Sequence, residues 1–377
     1  MRLLLSCSEL GLGHVNRMRL LGKRLEKRGH ELWFFSGGLP YTLLKKEFKN
    51  VHYSTPIAWY ENAYGVMASA SVINILVPLP CFDYERREFK IKKSSSEELI
   101  HRYYDLRRYI RTIKPDMIVS DGDVLALRLA TRWKIPSVFI TNVIKPSLYF
   151  PLFLVPGQRI TERYIRKSTR IIVPDVPKHT ICEYNIGDLN SIGIKDKVEF
   201  VGSFFDLRYE EGCEKLIFAP ISGPLGTRAR IAREVVPVLS KLDEKSLVSL
   251  GDPGSKFAKE VGNCKVYGWL QDPQRKESMR NARIVIFSGG HGTCFEVLKY
   301  RKPSICMPTQ PEQKANARKL TELKCSVFVE NGKQLISAIE KIENERKSFR
   351  KNVSKFSEYC SRFNGLDAAV SIVENVL

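Results

Sequence analysis

Apolar residues along this chain come in short runs, each broken by glycine and followed by a stretch of helical spacing. Residues 284–287 (Ile-Val-Ile-Phe) carry no polar alternation, which predicts a strand buried on both faces. Ser288-Gly289-Gly290-His291-Gly292-Thr293 interrupts the run. Residues 294–300 then resume with Phe295, Val297 and Leu298 apolar and Glu296 polar, a helical pattern. That helix is predicted to stop at Lys302-Pro303, and 304–307 makes another short strand. The polar cluster Thr309-Gln310-Pro311-Glu312-Gln313 follows, and a further helix is predicted from Asn316-Ala317.

The start of the chain has the same rhythm. Residues 2–7 read as a strand, 8–14 as a loop containing Gly11-Leu12-Gly13-His14, 15–28 as a helix and 31–35 as a second strand. This opens a doubly wound domain, although the third glycine and the closing acid of a dinucleotide fingerprint are missing. Strands are predicted at 116–120, 136–141, 171–174 and 198–200, with Asp121-Gly122-Asp123 ending the first of these before a helix at 124–133. The pattern restarts at 215–219 with the loop Ile221-Ser222-Gly223, a helix at 231–242, and strands at 246–250 and 265–270. The fold class is therefore α/β, with two Rossmann-like domains. Boundaries are predicted at 1–205 and 206–358, with a C-terminal helix within 359–377 packing back on the first domain.

Composition adds one unusual fact. The chain of 377 residues is ordinary in its 43% hydrophobic and 27% charged content, but 61 Lys+Arg against 41 Asp+Glu leave a net charge of +20. Such an excess calls for an anionic partner: nucleic acid, phosphorylated substrate or an acidic membrane face. Nucleic acid is not expected, because no zinc spacing, helix-turn-helix signature or aromatic RNP-type motif is present. Nine scattered cysteines without C-x-x-C argue against a disulfide framework and for a reducing, cytoplasmic setting. No signal-peptide pattern opens the chain, and no apolar run reaches the roughly 18 residues of a membrane span.

A strand, a glycine-rich turn and a helix together present bare backbone N–H groups and a positive helix end, a setting for phosphate. The run from Gly289-Gly290-His291-Gly292-Thr293-Cys294-Phe295-Glu296 to Lys302-Pro303-Ser304-Ile305-Cys306-Met307-Pro308-Thr309-Gln310-Pro311-Glu312-Gln313 resembles the donor signature of GT-B glycosyltransferases. It is most similar to that of the UDP-sugar transferases, including the bacterial peptidoglycan GlcNAc transferase. The resemblance implies two domains facing across a cleft and an inverting transfer, since the earlier glutamate of retaining members is replaced by Ser288. It implies a UDP-sugar donor, GlcNAc as the sugar, no required cofactor or metal, and a lipid-linked or membrane-proximal acceptor. Contact with the anionic cytoplasmic face of the membrane follows from the same resemblance. Carried over residue by residue, Gly290, Gly292 and Thr293 hold the diphosphate, with Ser288 standing where many relatives have His and His291 as its substitute. Glu296 binds ribose, and Gln310, Glu312 and Gln313 bind sugar hydroxyls. Ser222 and Gly223 meet the diphosphate from the other side, with Arg228 and Arg230 near, and Trp269 meets the base. Gly13 joins the donor-contacting set.

His14 is the candidate base. A sugar hydroxyl is a weak acid, and an imidazole near neutral pH can take its proton as the glycosidic bond forms. A carboxylate partner would fix its tautomer, and Asp121 or Asp123 could serve, Asp121 first because it ends a strand of the same sheet. The Asp-Gly-Asp string also resembles a metal-binding motif of the other glycosyltransferase fold. For the acceptor, 144–155 is an apolar and aromatic run ringed by Arg159, Arg163, Arg166, Lys167 and Arg170, with basic stretches at 86–93 and 102–111. Two alternatives stand beside the transferase: a UDP-GlcNAc epimerase of the same fold, and a non-catalytic basic protein binding nucleic acid or another partner.

Overall fold

The computed structural model describes residues 1–376 except 10, 58, 63, 64, 84–87, 149–151 and 224. It contains two seven-stranded sheets, each covered by helices on both faces. The first is built from β1 (Arg2–Cys7), β2 (Glu31–Ser36), β3 (Val51–Tyr53), β4 (Met117–Asp121), β5 (Ser137–Ile140), β6 (Arg170–Val173) and β7 (Val198–Phe200). Its order is β7-β6-β5-β4-β1-β2-β3, parallel throughout. The second comprises β8 (Leu216–Pro220), β9 (Ser246–Ser249), β10 (Ala258–Val261), β11 (Cys264–Tyr267), β12 (Ala282–Phe287), β13 (Ser304–Cys306) and β14 (Ser326–Phe328). Its order is β10-β11-β9-β8-β12-β13-β14, parallel apart from the β10–β11 edge hairpin.

The unbroken apolar runs have a physical reason. In β1, Leu3 and Leu5 join one core cluster while Leu4 joins another on the opposite face. In β12, Val285 and Phe287 face one way, Ile284 and Ile286 the other. A strand covered twice has no side on which to place a polar residue. Two small antiparallel hairpins, Glu61–Asn62 with Gly65–Val66 and Leu79–Asp83 with Glu88–Lys92, lie in the insertion between β3 and β4.

Several helices begin or end elsewhere than their periodicity suggests. The first starts at Leu12 rather than 15, because Gly11, at φ 76°, turns the chain and brings Gly13 and His14 into the first helical turn. The helix predicted from 316 starts at Pro311, whose fixed φ suits the first helical position. Glu312 and Gln313 are therefore helical residues and not part of a loop. The helix after β8 starts at Leu225 rather than 231. At the C-terminus, Arg346–Cys360 packs beneath the second sheet and a separate helix, Gly365–Glu374, follows.

That last helix belongs to the first core. Ala369, Val370 and Val373 share a cluster with Val15, Met18, Leu21 and Leu25 of the first helix. Glu374 meets His30 at 3.1 Å, and Arg24 meets Asp367 at 3.1 Å. Val373→Ala should cost about 2 kcal/mol, from lost burial plus a residual cavity, and lower the urea midpoint of the first lobe. Urea denaturation followed by tryptophan fluorescence would check this, and an unchanged midpoint would show that the helix is not docked.

Candidate active site

In each sheet the strand order reverses once, between β4 and β1 in the first and between β8 and β12 in the second. Ligands of open α/β sheets bind at such reversals, where the loops leaving two neighbouring strands diverge. In the first sheet Cys7 of β1 pairs in register with Asp121 of β4, so the His14 turn and the Asp121 carboxylate emerge side by side. His14 Nδ1 lies 2.6 Å from Asp121 Oδ1. A carboxylate only accepts, so Nδ1 carries the hydrogen and Nε2 keeps a lone pair when the ring is neutral. The His14 side chain is 21% exposed and that of Asp121 is fully buried.

Asp121 has a second partner that the sequence reading missed. Arg17, one turn along from His14, donates through Nε to Oδ2 at 2.7 Å and through Nη2 to Oδ1 at 2.8 Å. Burial alone would raise the Asp121 carboxyl, but Arg17 and then His14 hold it below its ordinary value. Burial likewise opposes the charge on Arg17, and Asp121, then Glu312 of the second lobe, more than restore it. Gly122 completes the arrangement. Its φ of +72° is left-handed, and a Cβ there would lie 2.8 Å from His14 Cε1. The glycine of Asp-Gly-Asp thus makes room for the imidazole.

Asp123 does different work. It caps the helix Val124–Trp133 by accepting from Leu125 N at 3.1 Å, and it takes Ser6 Oγ at 2.5 Å and Arg102 Nη2 at 2.7 Å. Arg102 also pairs with Glu9. Both carboxylates of the Asp-Gly-Asp string are therefore engaged by protein donors. Arg102, counted among surface basic residues in the sequence, is instead buried as the counter-ion of Asp123 and Glu9, which removes it from any basic surface.

At the second reversal, the loop with Ser222 and Gly223 leaves β8 and the turn 288–290 leaves β12, two adjacent parallel strands. The helix His291–Lys299 begins with Gly290 as its N-cap, without a side-chain cap, so its first N–H groups have no intrahelical acceptor. Gly292 and Thr293 lie in that turn, partly exposed, while Ser288 is buried. The glycine that the turn cannot do without is Gly289, at φ +82° with a would-be Cβ 2.8 Å from Gln313 O. Trp269, after β11, is half-buried. Arg228 points to Leu250 O and Asp252, and Arg230 to Glu234, so neither guanidinium is left for phosphate alone.

Two assigned side chains are turned inward, and a third has a protein partner the sequence did not show. His291 does not face outward from the turn: it is buried, with Nε2 3.0 Å from Asp175 Oδ2 of the first lobe. Its backbone N–H alone remains at the helix start. Gln313 is also buried, and its Oε1 accepts from Thr309 N at 3.1 Å and Thr309 Oγ1 at 3.2 Å, closing its own turn. Glu296 is held by Arg275, whose Nη2 reaches Oε2 at 2.6 Å and whose Nη1 grips Oε1. Helical periodicity showed that Glu296 was polar on an apolar helix; Arg275, on a helix before β12, gave no sequence signal as its partner.

Polar contacts tie the two lobes together across the gap. Asn142, after β5, donates to Glu312 Oε1 at 2.7 Å. Asn185 donates to Asn316 Oδ1 at 2.9 Å, and Asn316 Nδ2 to Gly289 O at 3.0 Å, so the glycine turn is steadied from the first lobe. Asp175, Cys182 and His291 form a buried cluster of metal-ligating types. Its carboxylate is already filled, by Val176 N at 2.7 Å, Cys182 N at 3.0 Å and His291, so the cluster reads as a hydrogen-bonded joint between lobes. Of the nine free cysteines only Cys213 is exposed, and burial pushes the Cys7 and Cys306 thiols up to about 12.

Part of the predicted acceptor surface, Arg86, Arg87, Tyr149, Phe150 and Pro151, lies outside the described residues. Nearby, Leu152 is 86% exposed, Leu76 81% and Phe89 82%, with Ile73, Val77 and Ile91 also open to solvent. Among the described residues no helix is long and apolar enough to cross a membrane.

Comparison with known proteins agrees with this architecture. Residues 255–363 match the glycosyltransferase family 28 C-terminal domain. An uncharacterized glycosyltransferase of Methanosarcina mazei is 27% identical over 341 residues, covering 85% of this chain and 84% of that protein. The UDP-N-acetylglucosamine–N-acetylmuramyl-(pentapeptide) pyrophosphoryl-undecaprenol N-acetylglucosamine transferase of Clostridium novyi is 22% identical over 310 residues, covering 77% and 81%. The spinosyn rhamnosyltransferase SpnG complexed with thymidine diphosphate superposes with a TM-score of 0.69 at 13% identity, covering 100% of both chains. The fold is that of GT-B glycosyltransferases.

The Asp121 ion pair predicts a pH-dependent stability. Its folded value lies below the ordinary 3.8, so its contribution is complete above that value and is lost as pH falls through the lower folded one. Asp121→Asn would leave Arg17 buried without its hydrogen-bonded anion, costing about 3–5 kcal/mol at neutral pH. Denaturant unfolding of wild type and variant at pH 7 and pH 3 should show the gap shrinking in acid. A pH-independent gap would contradict it.

Proposed function

This chain is a glycosyltransferase of the GT-B fold, and we propose that it transfers a sugar with inversion from a UDP-sugar to a hydroxyl of a lipid-linked or membrane-proximal acceptor. The observation that carries this reading is the His14–Asp121 pair, 2.6 Å apart at one strand reversal, with Glu312 of the second lobe near enough to act on the adjoining Arg17. The Asn142–Glu312 contact at 2.7 Å ties the two lobes together beside them.

In the proposed reaction the acceptor hydroxyl gives its proton to His14 Nε2 while its oxygen attacks the anomeric carbon. The new C–O bond forms opposite the departing diphosphate, whose bond to carbon breaks with the electron pair, so an α-linked donor gives a β-linked product. The imidazolium that forms is stabilised by Asp121, which stays ionised. Charge developing on the diphosphate meets the free N–H groups of Gly292 and Thr293 and the positive helix end, with Ser222 and Gly223 on the neighbouring loop. Glu296, braced by Arg275, is assigned to the ribose and Trp269 to the base. Gln310 and Glu312 are assigned to the sugar, which we take as GlcNAc on the likeness to the Clostridium novyi enzyme.

For the acceptor side, the exposed helix Ala68–Leu76 and hairpin strand Glu88–Lys92 offer an apolar surface on a chain of net charge +20, suited to an anionic bilayer. Leu76→Ser with Phe89→Ser should weaken sedimentation with phosphatidylglycerol vesicles several-fold while leaving turnover of a water-soluble acceptor intact. Equal binding by variant and wild type would remove this surface from the reading.

The function is tested with His14→Ala and a panel of nucleotide sugars. A specific donor should raise the melting temperature of both proteins alike. Turnover of the variant should fall about a hundredfold or more. Release of UDP with a rearranged free sugar and no acceptor product would replace the transferase by an epimerase.

A further inference from the structure

Asp121 needs one donor to orient His14, yet it has two more from Arg17, whose side chain is only 5% exposed. The same guanidinium lies 3.1 Å from His14 Nδ1 through Nη2. Both groups donate, so this approach makes no hydrogen bond between them and sets two like donors against one carboxylate. Neutral donors can satisfy a buried carboxylate, as two backbone N–H groups and an imidazole do for Asp175.

We propose that Arg17 is the positioning residue of the His14–Asp121 pair, cancelling the carboxylate charge so that His14 meets its substrate unprotonated. A bare buried carboxylate beside an imidazole favours the imidazolium, which has no lone pair to offer a hydroxyl. With Arg17 seated on both oxygens, the pair presents no net charge but keeps its orienting hydrogen bond. The fork geometry matters as well, because it fixes the carboxylate plane and therefore the ring that hangs from it. The other charged groups around the pair are Glu312, facing Arg17 from the second lobe, and the Glu9–Arg102–Asp123 cluster behind β1. That cluster has its own internal counter-ion. Glu312 is held by Asn142 and adds to the negative side of the balance that Arg17 must offset.

The inference rests on His14 as the base, and it makes a prediction that a merely structural arginine would not. Opposite single changes should move the acid limb of the pH–rate profile in opposite directions. Arg17→Met should move it upward by about one pH unit or more, so that activity lost at pH 6 is largely regained at pH 8.5. Asp121→Asn should move it downward. The double variant Arg17→Met/Asp121→Asn, which buries no unpaired charge, should return close to the wild-type limb with lower turnover. Arg17→Lys should keep the limb in place but reduce kcat, having charge without the fork.

The independent readout is the carbon-13 NMR titration of the His14 ring, assigned by its disappearance in His14→Gln. Movement of that titration in the same order as the rate profiles supports the proposal. Should Arg17→Met and the double variant both fold, and the ring titrate as in wild type, Arg17 is no more than a structural brace and the proposal fails. If no nucleotide sugar is turned over by wild type but the ring titration still moves in opposite directions, the positioning role stands and the transferase reading falls.

Discussion

The joint between His291 and Asp175 is the constraint on which the geometry of this protein depends. It is a buried contact at 3.0 Å between the start of a helix in one lobe and the loop just after β6 in the other. A charge or amide left unpaired at that depth would be costly, so the lobes are held in one register as long as the contact survives. Asn185–Asn316 and Asn142–Glu312 extend the same seam between the lobes. The glycine turn is thus fixed from both sides: by its own sheet through β12, and by the opposite lobe through Asn316 and His291.

What each lobe contributes follows from its sheet. Both sheets place a reversal of strand order at the gap, and both fill it with a short glycine-containing turn leading into a helix. The chemistry differs because the side chains differ. The first reversal carries an imidazole, a carboxylate and a guanidinium in mutual contact. The second carries backbone N–H groups and a helix end with its side chains folded inward. In the proposed reaction the first would move a proton and the second would hold an anion.

Charge is handled differently at the surface and inside. The net charge of +20 is a surface property that bears on partners. Within the first lobe, Arg17 and Arg102 are buried and each matched to carboxylates, Asp121 for one and Asp123 with Glu9 for the other. Two acids separated by one glycine thereby serve opposite sides of a strand end. Asp121 holds His14 and Arg17, and Asp123 caps the helix that follows.

The sequence by itself determined the α/β architecture, the two glycine turns and the presence of His14 and Asp121 near the ends of strands. These depend on local spacing, on unbroken apolar runs and on residues that tolerate left-handed backbone, all of which are visible one segment at a time. Tertiary structure alone decided that Arg17 completes the Asp121 site, that Arg102 is interior and that Arg275 clamps Glu296. It also decided that His291 and Gln313 turn inward. Each of these is a pairing between groups distant in sequence or in register on a helix, and a buried polar side chain takes whichever partner the packing brings within reach. Composition and periodicity carry no record of that choice, because an arginine on the polar face of a helix reads the same whether it ends in water or on a carboxylate.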